Sequence, residues 1–244
     1  MSRKIKVKIG IIGFLPFSFN RKFIKKWKSD VFEIVGNIEQ YHINSKSDTS
    51  SWGYSDSCLE QVLPKDNNAD FVIGVTYIQL EDNYYARRLS SNRIVLSYFE
   101  MYQIFQQGHI SVESFLLRTI YRYVLVFLGQ EKIPIQKEAL KYLHDDSRGC
   151  IFDMNGYKSD VIFSLDRPKI CDDCVIEIRR DKVSDNYITQ IKKELRKIKK
   201  GRFYRIDECI RRRPILSFII SAVIVISLNL ISNMVWKFIT TNFK

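Results

Sequence analysis

The 244-residue chain has no P-loop, and Gly10 and Gly13 do not complete a GxGxxG fingerprint, so neither common phosphate-cradling loop is present. No internal repeat is visible. The N-terminus has basic residues followed by a short apolar run, IGIIGFLPF, but no small-x-small cleavage site follows. Lysines alternate with apolar residues through KIKVKIGII, a period of two that predicts a strand and not a targeting signal. Five cysteines in a chain read as cytoplasmic argue against a disulfide framework. Acidic residues are missing from 214–244, and all charge is missing from 214–236. What is plentiful is apolar: 45% hydrophobic and 13% aromatic residues exclude a disordered polymer or a collagen-like repeat and can bury a real core.

The net charge is +12, and it is unevenly placed. Residues 1–191 carry 26 basic and 24 acidic residues, so the body is nearly neutral. Residues 192–213 carry 11 basic and three acidic residues, from Lys192-Lys193 through Arg211-Arg212-Arg213. A basic segment can meet nucleic acid, but here aromatic interleaving is poor and an apolar span follows. Acidic lipid headgroups are the simpler partner.

That span, PILSFIISAVIVISLNLISNMVW, runs for 23 residues, enough for a helix to cross a hydrocarbon core of about 30 Å. Pro214 suits a first helical turn, and Trp236 suits the far interface. Three arginines on the near side orient the body to the cytoplasm by the positive-inside rule. The competing reading is a buried core helix. Ser217 and Ser221, and Asn229 and Asn233, are each one turn apart, a spacing that suits a homo-oligomer through helix association or tolerated polar residues in a lone anchor.

Strands are expected over Lys4–Phe14, Val31–Gly36, Ala69–Leu80 and Asn92–Tyr98. Helices are expected over Asn20–Ser29, Ser111–Leu128, Ile135–Leu143 and Val183–Lys200, with a Ser-rich loop at 43–57 and a loop and hairpin region at 144–174. Strands and helices without regular βαβ alternation predict an α+β fold, one mixed sheet backed by helices. The expected organisation is a cytoplasmic domain at 1–185, a basic juxtamembrane helix and linker at 186–213, a transmembrane helix at 214–236 and a short tail at 237–244. This places the chain in the inner (plasma) membrane as a single-pass protein.

The most informative chemistry lies in 144–174. His144, Cys150, Cys171 and Cys174 offer three thiolates and an imidazole, which complete a tetrahedral Cys3His set for a structural zinc ion, Zn2+. Binding would supply folding energy to a segment with little core. Arg148, Arg167 and Lys169 could moderate the thiolate charge. A redox pair at Cys171 and Cys174, or incidental buried cysteines, are the competing readings. Phe152-Asp153 and Lys158-Ser159-Asp160 either line a polar pocket with Arg148 or cap and pair around the zinc loop. Cys58, Cys209, His42 and His109 have no evident companions.

Here the sequence resembles the archaemetzincins, small zinc peptidases with a catalytic HExxHxxGxxH motif followed by a four-cysteine structural zinc site. In that site a Cys-x-Met turn precedes a CxxC by just under twenty residues. This chain has Cys150-Ile151-Phe152, twenty residues lie between Cys150 and Cys171, and His144 falls near the family's first structural cysteine. Residues 69–76 look like the strand that precedes the family's active-site edge strand, and Ser111–Leu128 takes the place of its catalytic helix. The resemblance covers residues 5–175 and is specific only at the structural zinc. The chain departs from it at the chemistry: the candidate helix reads Arg118-Thr119-Ile120-Tyr121-Arg122-Tyr123, without His or Glu.

The resemblance therefore implies a pseudoenzyme: a membrane-anchored, non-catalytic binding or sensing module with an unknown ligand or protein partner and its output at the membrane. Such an architecture suits a bacterial defence or stress effector. A zinc-dependent hydrolase using His144, Asp145 and Asp146, and a tail-anchored adaptor, are the other readings.

Overall fold

The computed structural model describes residues 3–145 and 147–242 and divides into two compact units, residues 1–200 and 201–244. The first is built on a six-stranded sheet: β1 (Ile5–Ile12), β2 (Phe32–Ile34), β3 (Glu39–Tyr41), β4 (Phe71–Thr76), β5 (Ala86–Leu89) and β6 (Arg93–Ser97). The spatial order is β2-β1-β4-β6-β5, and β3 pairs with the far half of β1. All pairings are parallel except the β5–β6 hairpin, so the sheet is mixed.

Strand alternation sorts side chains onto two faces. Ile5, Val7, Ile9 and Ile11 of β1 join Phe71, Ile73 and Val75 of β4 and Ile94 and Leu96 of β6 in the main core. Ile12, Val72 and Val95 face the other way, toward Leu59 and Leu63 at helix α2 (Asp56–Val62). Gly10 and Gly74 lie opposite each other in register on that second face. A Cβ on Gly10 would overlap the Tyr41 ring, and one on Gly74 would sit 2.8 Å from Ile12 and 3.0 Å from Leu63. The two glycines let these side chains lie flat on the sheet.

Two short helices, α1 (Arg21–Lys25) and α3 (Met101–Gln107), lead to the central helix α4 (Val112–Gln130). Ser111 caps α4 by accepting from the Glu113 N–H, and left-handed Glu131 ends it. Every residue from Val112 to Val126 is buried. A helix covered on all sides has neighbours on all sides. The sheet packs on one flank. On the others lie Ile151 and Phe152 and the helices α5 (Asp172–Arg180) and α6 (Asp185–Leu195), the last through Ile188, Ile191 and Leu195.

The second unit holds α7 (Arg202–Arg212) and α8 (Pro214–Asn242). Non-helical Arg213 separates them, and Pro214 opens α8, where no backbone N–H is needed. Pro214–Met234 has a mean hydropathy of 2.5, and none of it is buried.

The expected strands and central helix form, with differences elsewhere. Residues 135–143 are not helical: Gln136 follows Pro134 and its N–H is drawn to the Arg88 carbonyl at the β5 edge (2.8 Å), so the segment runs as turns along the sheet. Among the described residues of 144–174 no hairpin forms. Val161-Ile162-Phe163 lies in a 3-10 turn (Lys158–Ser164), and the ladder contacts are isolated parallel bridges. The helix expected over 183–200 is α6 alone, ending at Leu195, and α5 was not anticipated.

Glu194 ties the layers together. Fully buried, its carboxylate accepts from Ser29 Oγ (2.6 Å), the Asp30 N–H (2.8 Å), Tyr121 Oη (2.7 Å) and Gln190 Nε2 (2.9 Å). Burial pushes this carboxyl up, but the Asp30 N–H and the hydroxyl donors outweigh it and hold the pKa below its ordinary value. A lowered folded-state pKa gives stability that is complete above the unfolded value of about 4.3 and is lost as pH falls through the folded value. Glu194→Gln should cost about 2 kcal/mol at neutral pH. Its thermal melts should converge on those of the parent as the pH is lowered below about 4. Equal melting temperatures at pH 7 would show that this carboxylate carries no net stability.

Candidate metal centre

The fold brings His144, Cys150, Cys171 and Cys174 together, with one donor atom from each lying within 4.8 Å of all the others. Local structure explains how. Asp153, 1% exposed, is the post around which the Cys150 loop is wound. Its Oδ1 accepts from the Ser147 N–H and Oγ (2.9 Å each), and its Oδ2 from the N–H groups of Gly149 (2.9 Å) and Cys150 (3.0 Å). Left-handed Arg148 (φ 53°) and Gly149 (φ 126°) make the turn that aims those N–H groups inward. The Cys150 loop bridges to Lys169, through Ile151 N–H to the Lys169 carbonyl (3.0 Å) and Lys169 N–H to the Gly149 carbonyl (2.9 Å). Two residues beyond Lys169 comes Cys171.

Cys171 is the N-cap of α5, its Sγ accepting from the Cys174 N–H at 3.4 Å, and Cys174 stands in the first turn. The CxxC is thus the start of a helix and not a hairpin turn. Cys150 Sγ also accepts a backbone N–H, from Phe152 at 3.5 Å. Such bonds favour thiolate over thiol.

The donor set fits zinc. Zn–S and Zn–N bonds of about 2.3 and 2.0 Å at tetrahedral angles place sulfurs about 3.8 Å apart and sulfur and nitrogen about 3.5 Å apart. Cys150 Sγ and Cys174 Sγ are 3.9 Å apart, and Cys171 Sγ and His144 Nε2 are 3.4 Å apart. His144 Nδ1 is 2.6 Å from the Asp145 carbonyl oxygen, which can only accept. The proton therefore sits on Nδ1, and the Nε2 lone pair faces the sulfurs, the orientation that a second hydrogen bond gives a ligating imidazole. Around one ion, four protein donors would close the tetrahedron and leave no position for substrate.

The thiols are crowded and titrate as a group. The hydrogen bond from Cys174 leads in pulling Cys150 down to about 5, against its burial. The bond to Cys150 and burial push Cys174 far up, and burial leads in raising Cys171. One sulfur ionises readily, and ionising all three calls for a dication among them. The guanidiniums of Arg118 and Arg122 on α4 are close enough to feel the Cys150 charge. Arg148, expected to moderate the thiolates, stacks over Phe163 instead, 5.2 Å from its ring centre.

Of the remaining candidates, Lys158 does not serve the metal loop: it pairs with Glu100 (2.9 Å) and donates to Asn83 (2.7 Å). Arg148, Asp153 and Asp160 do line a small cavity of about 200 Å³, so Asp153 both winds the loop and faces a polar pocket. Of the grouping of His144, Asp145 and Asp146, only the first two are among the described residues. Both His144 nitrogens are engaged. Cys58 is buried against Ser45 Oγ (3.0 Å), and Cys209 is exposed.

Metal analysis of purified protein should find one zinc per chain, lost in Cys171→Ser and Cys174→Ser. Asp153→Ala keeps all four donors but unwinds their loop, and should weaken zinc retention against a competing chelator about 10- to 100-fold. Retention equal to the parent would remove Asp153 from the site's support.

No protein-family model matches this chain, and no curated protein matches its sequence. Solved structures are similar to it. An archaemetzincin from Methanopyrus kandleri superposes with a TM-score of 0.45 at 14% identity, covering 73% of this chain and 96% of that one. An archaemetzincin from Archaeoglobus fulgidus, complexed with malonate, superposes with a TM-score of 0.38 at 17% identity, covering 71% and 99%.

Proposed function

We propose that the chain is a membrane-anchored, non-catalytic binding or sensing module whose output is at the bilayer. The carrying observation is α8. Its Pro214–Met234 stretch is 21 residues long, apolar and unburied. At 1.5 Å per residue it spans roughly 32 Å, the thickness of a hydrocarbon core. Left in water, such a surface would cost about 1.5–3 kcal/mol for each large aliphatic side chain. The basic residues of 192–213 give the near side its sign, which favours a cytoplasmic body, a bacterial inner membrane and acidic lipid as a partner.

Two features favour binding over hydrolysis. The Cys3His set is closed, so its zinc would serve folding. Helix α4 offers arginines where a metal-dependent peptidase offers histidines and a glutamate. On α8, Ser221 Oγ donates to the Ser217 carbonyl (2.9 Å) and Asn233 Nδ2 to Asn229 Oδ1 (3.3 Å). An amide has capacity beyond one such bond, which supports association of two copies through this helix and, in turn, a defence or stress effector that acts on the membrane when clustered.

Full-length protein should pellet with membranes, resist extraction by alkaline carbonate and dissolve in detergent. Deletion of 214–244 should release it, and a protease added to spheroplasts should leave an N-terminal tag intact. Recovery of full-length protein in the carbonate supernatant would remove the anchor. A second labile metal with peptide hydrolysis abolished by Asp145→Ala would replace the binding reading with an enzymatic one.

A further inference from the structure

Three arginines are buried without an acidic partner. Arg88 on β5 is 8% exposed, and Arg118 and Arg122 on α4 are 0% and 6% exposed. Among the described residues none of them forms an ion pair, and Arg88 Nη1, both Nη atoms of Arg118 and Arg122 Nε have no hydrogen-bond partner. The bonds they do make go to neutral groups. Arg88 Nη2 donates to the Glu138 carbonyl (2.9 Å), Arg118 Nε to Ser164 Oγ (3.0 Å) and Arg122 Nη1 to Tyr85 Oη (3.4 Å). Arg87, the neighbour of Arg88 on β5, shows the usual solution: it is clamped by Asp56 and Glu81 at 2.7 Å each. A buried guanidinium without a counter-charge is strongly destabilising, and a buried donor left unpaired calls for an explanation such as an ion or ligand.

Arg88 and Arg122 line a cavity of about 530 Å³, with Lys158, Tyr85, Tyr123 and Asn155. That volume is in the range of small-molecule sites. The acids near its rim are already used: Asp82 and Glu81 face Arg87, and Glu100 pairs with Lys158. The cavity is positive. Burial pushes the Tyr85 phenol up, but Arg122 and Arg118 overcome this and bring it down to about 8. A potential that favours phenolate favours any oxyanion. The Cys150 thiolate offsets part of the charge without bonding the free N–H groups. The walls are not purely polar, since Tyr84, Leu140 and Met154 also face the space.

We propose that this cavity binds a phosphate monoester of mononucleotide size, its oxygens meeting the guanidiniums of Arg88 and Arg122 that line it and its ring packing on the tyrosine, leucine and methionine wall. Planar guanidiniums are the side chains best matched to phosphate, through paired N–H donors. Arg118 does not line the cavity and acts from behind as a positioning residue, held by Ser164. The ligand class named here rests on reading the chain as a binding module. It does not depend on the membrane anchor, which fractionation tests separately.

The experiment is calorimetric titration of full-length, zinc-loaded protein in detergent with adenosine and uridine 5′-monophosphates, the corresponding nucleosides and inorganic phosphate. At least one monophosphate should bind at least 100-fold more tightly than its nucleoside and than phosphate alone. Arg88→Met and Arg122→Met should each weaken that binding at least 30-fold while retaining zinc. Because each removes an unpaired buried charge, each should also melt at or above the parent temperature without ligand, which a purely structural arginine would not do. No monophosphate binding to protein with its full zinc content, or binding unchanged in both variants, would overturn the proposal and leave the anchor reading untouched.

Discussion

Helix α4 is buried from Val112 to Val126, and each neighbour meets it through a different kind of contact. The sheet packs on it through aliphatic alternation. Helix α6 reaches it through the Glu194 carboxylate on Tyr121, and Trp27 donates to the same phenol at 2.9 Å. The metal loop lays Phe152 against Arg122, whose guanidinium carbon is 6.0 Å from the ring centre. A helix enclosed this way has no solvent-facing stripe on which to place polar residues. Every polar group on it must be satisfied internally or serve something that enters from outside. The arginines stand out because Thr119, by contrast, simply bonds back to the Phe115 carbonyl.

The legible parts of the chain were those where one period or one spacing decides the structure. KIKVKIGII reveals its faces by alternation, ADFVIGVT is a continuous apolar run that suits a buried strand, and the apolar residues of 111–128 recur at helical spacing. The Cys/His set was readable because zinc chemistry constrains residue type and the fold has only to close the distance. What failed has a common cause. Residues 135–143 have helical spacing, yet the unpaired edge of β5 competes for their backbone. The CxxC could be read as a hairpin knuckle because a sulfur that caps a helix looks the same in sequence as one that turns a strand. Asp153 could be placed near the loop, but not recognised as its post, since three N–H groups and the Ser147 hydroxyl converge on it only after the chain has turned. The arginine pair on α4 was seen as a missing histidine motif. Its own meaning depends on Arg88 and Tyr85 arriving from the sheet.

Charge is segregated along this chain. The folded body carries nearly balanced charge, with several acids committed to specific partners such as Lys8, Arg87 and Lys158. The excess is concentrated before an uncharged span. A body of this kind has little long-range attraction for polyanions, so recognition there depends on the short-range field inside cavities. The basic segment, by contrast, concentrates its charge in 22 residues directly before the apolar span.

Cys171 uses one sulfur twice, as one of the four atoms gathered in the Cys3His cluster and as the cap on the first turn of α5. Coordination and helix initiation thus share an atom, and a thiolate is a better acceptor for the Cys174 N–H than a thiol. Any event that takes this sulfur, whether oxidation, alkylation or loss of the ion, also removes the start of a helix whose Val175 and Ile178 sit in the main core. The redox state of a single half-buried atom is thereby written into the packing around α4.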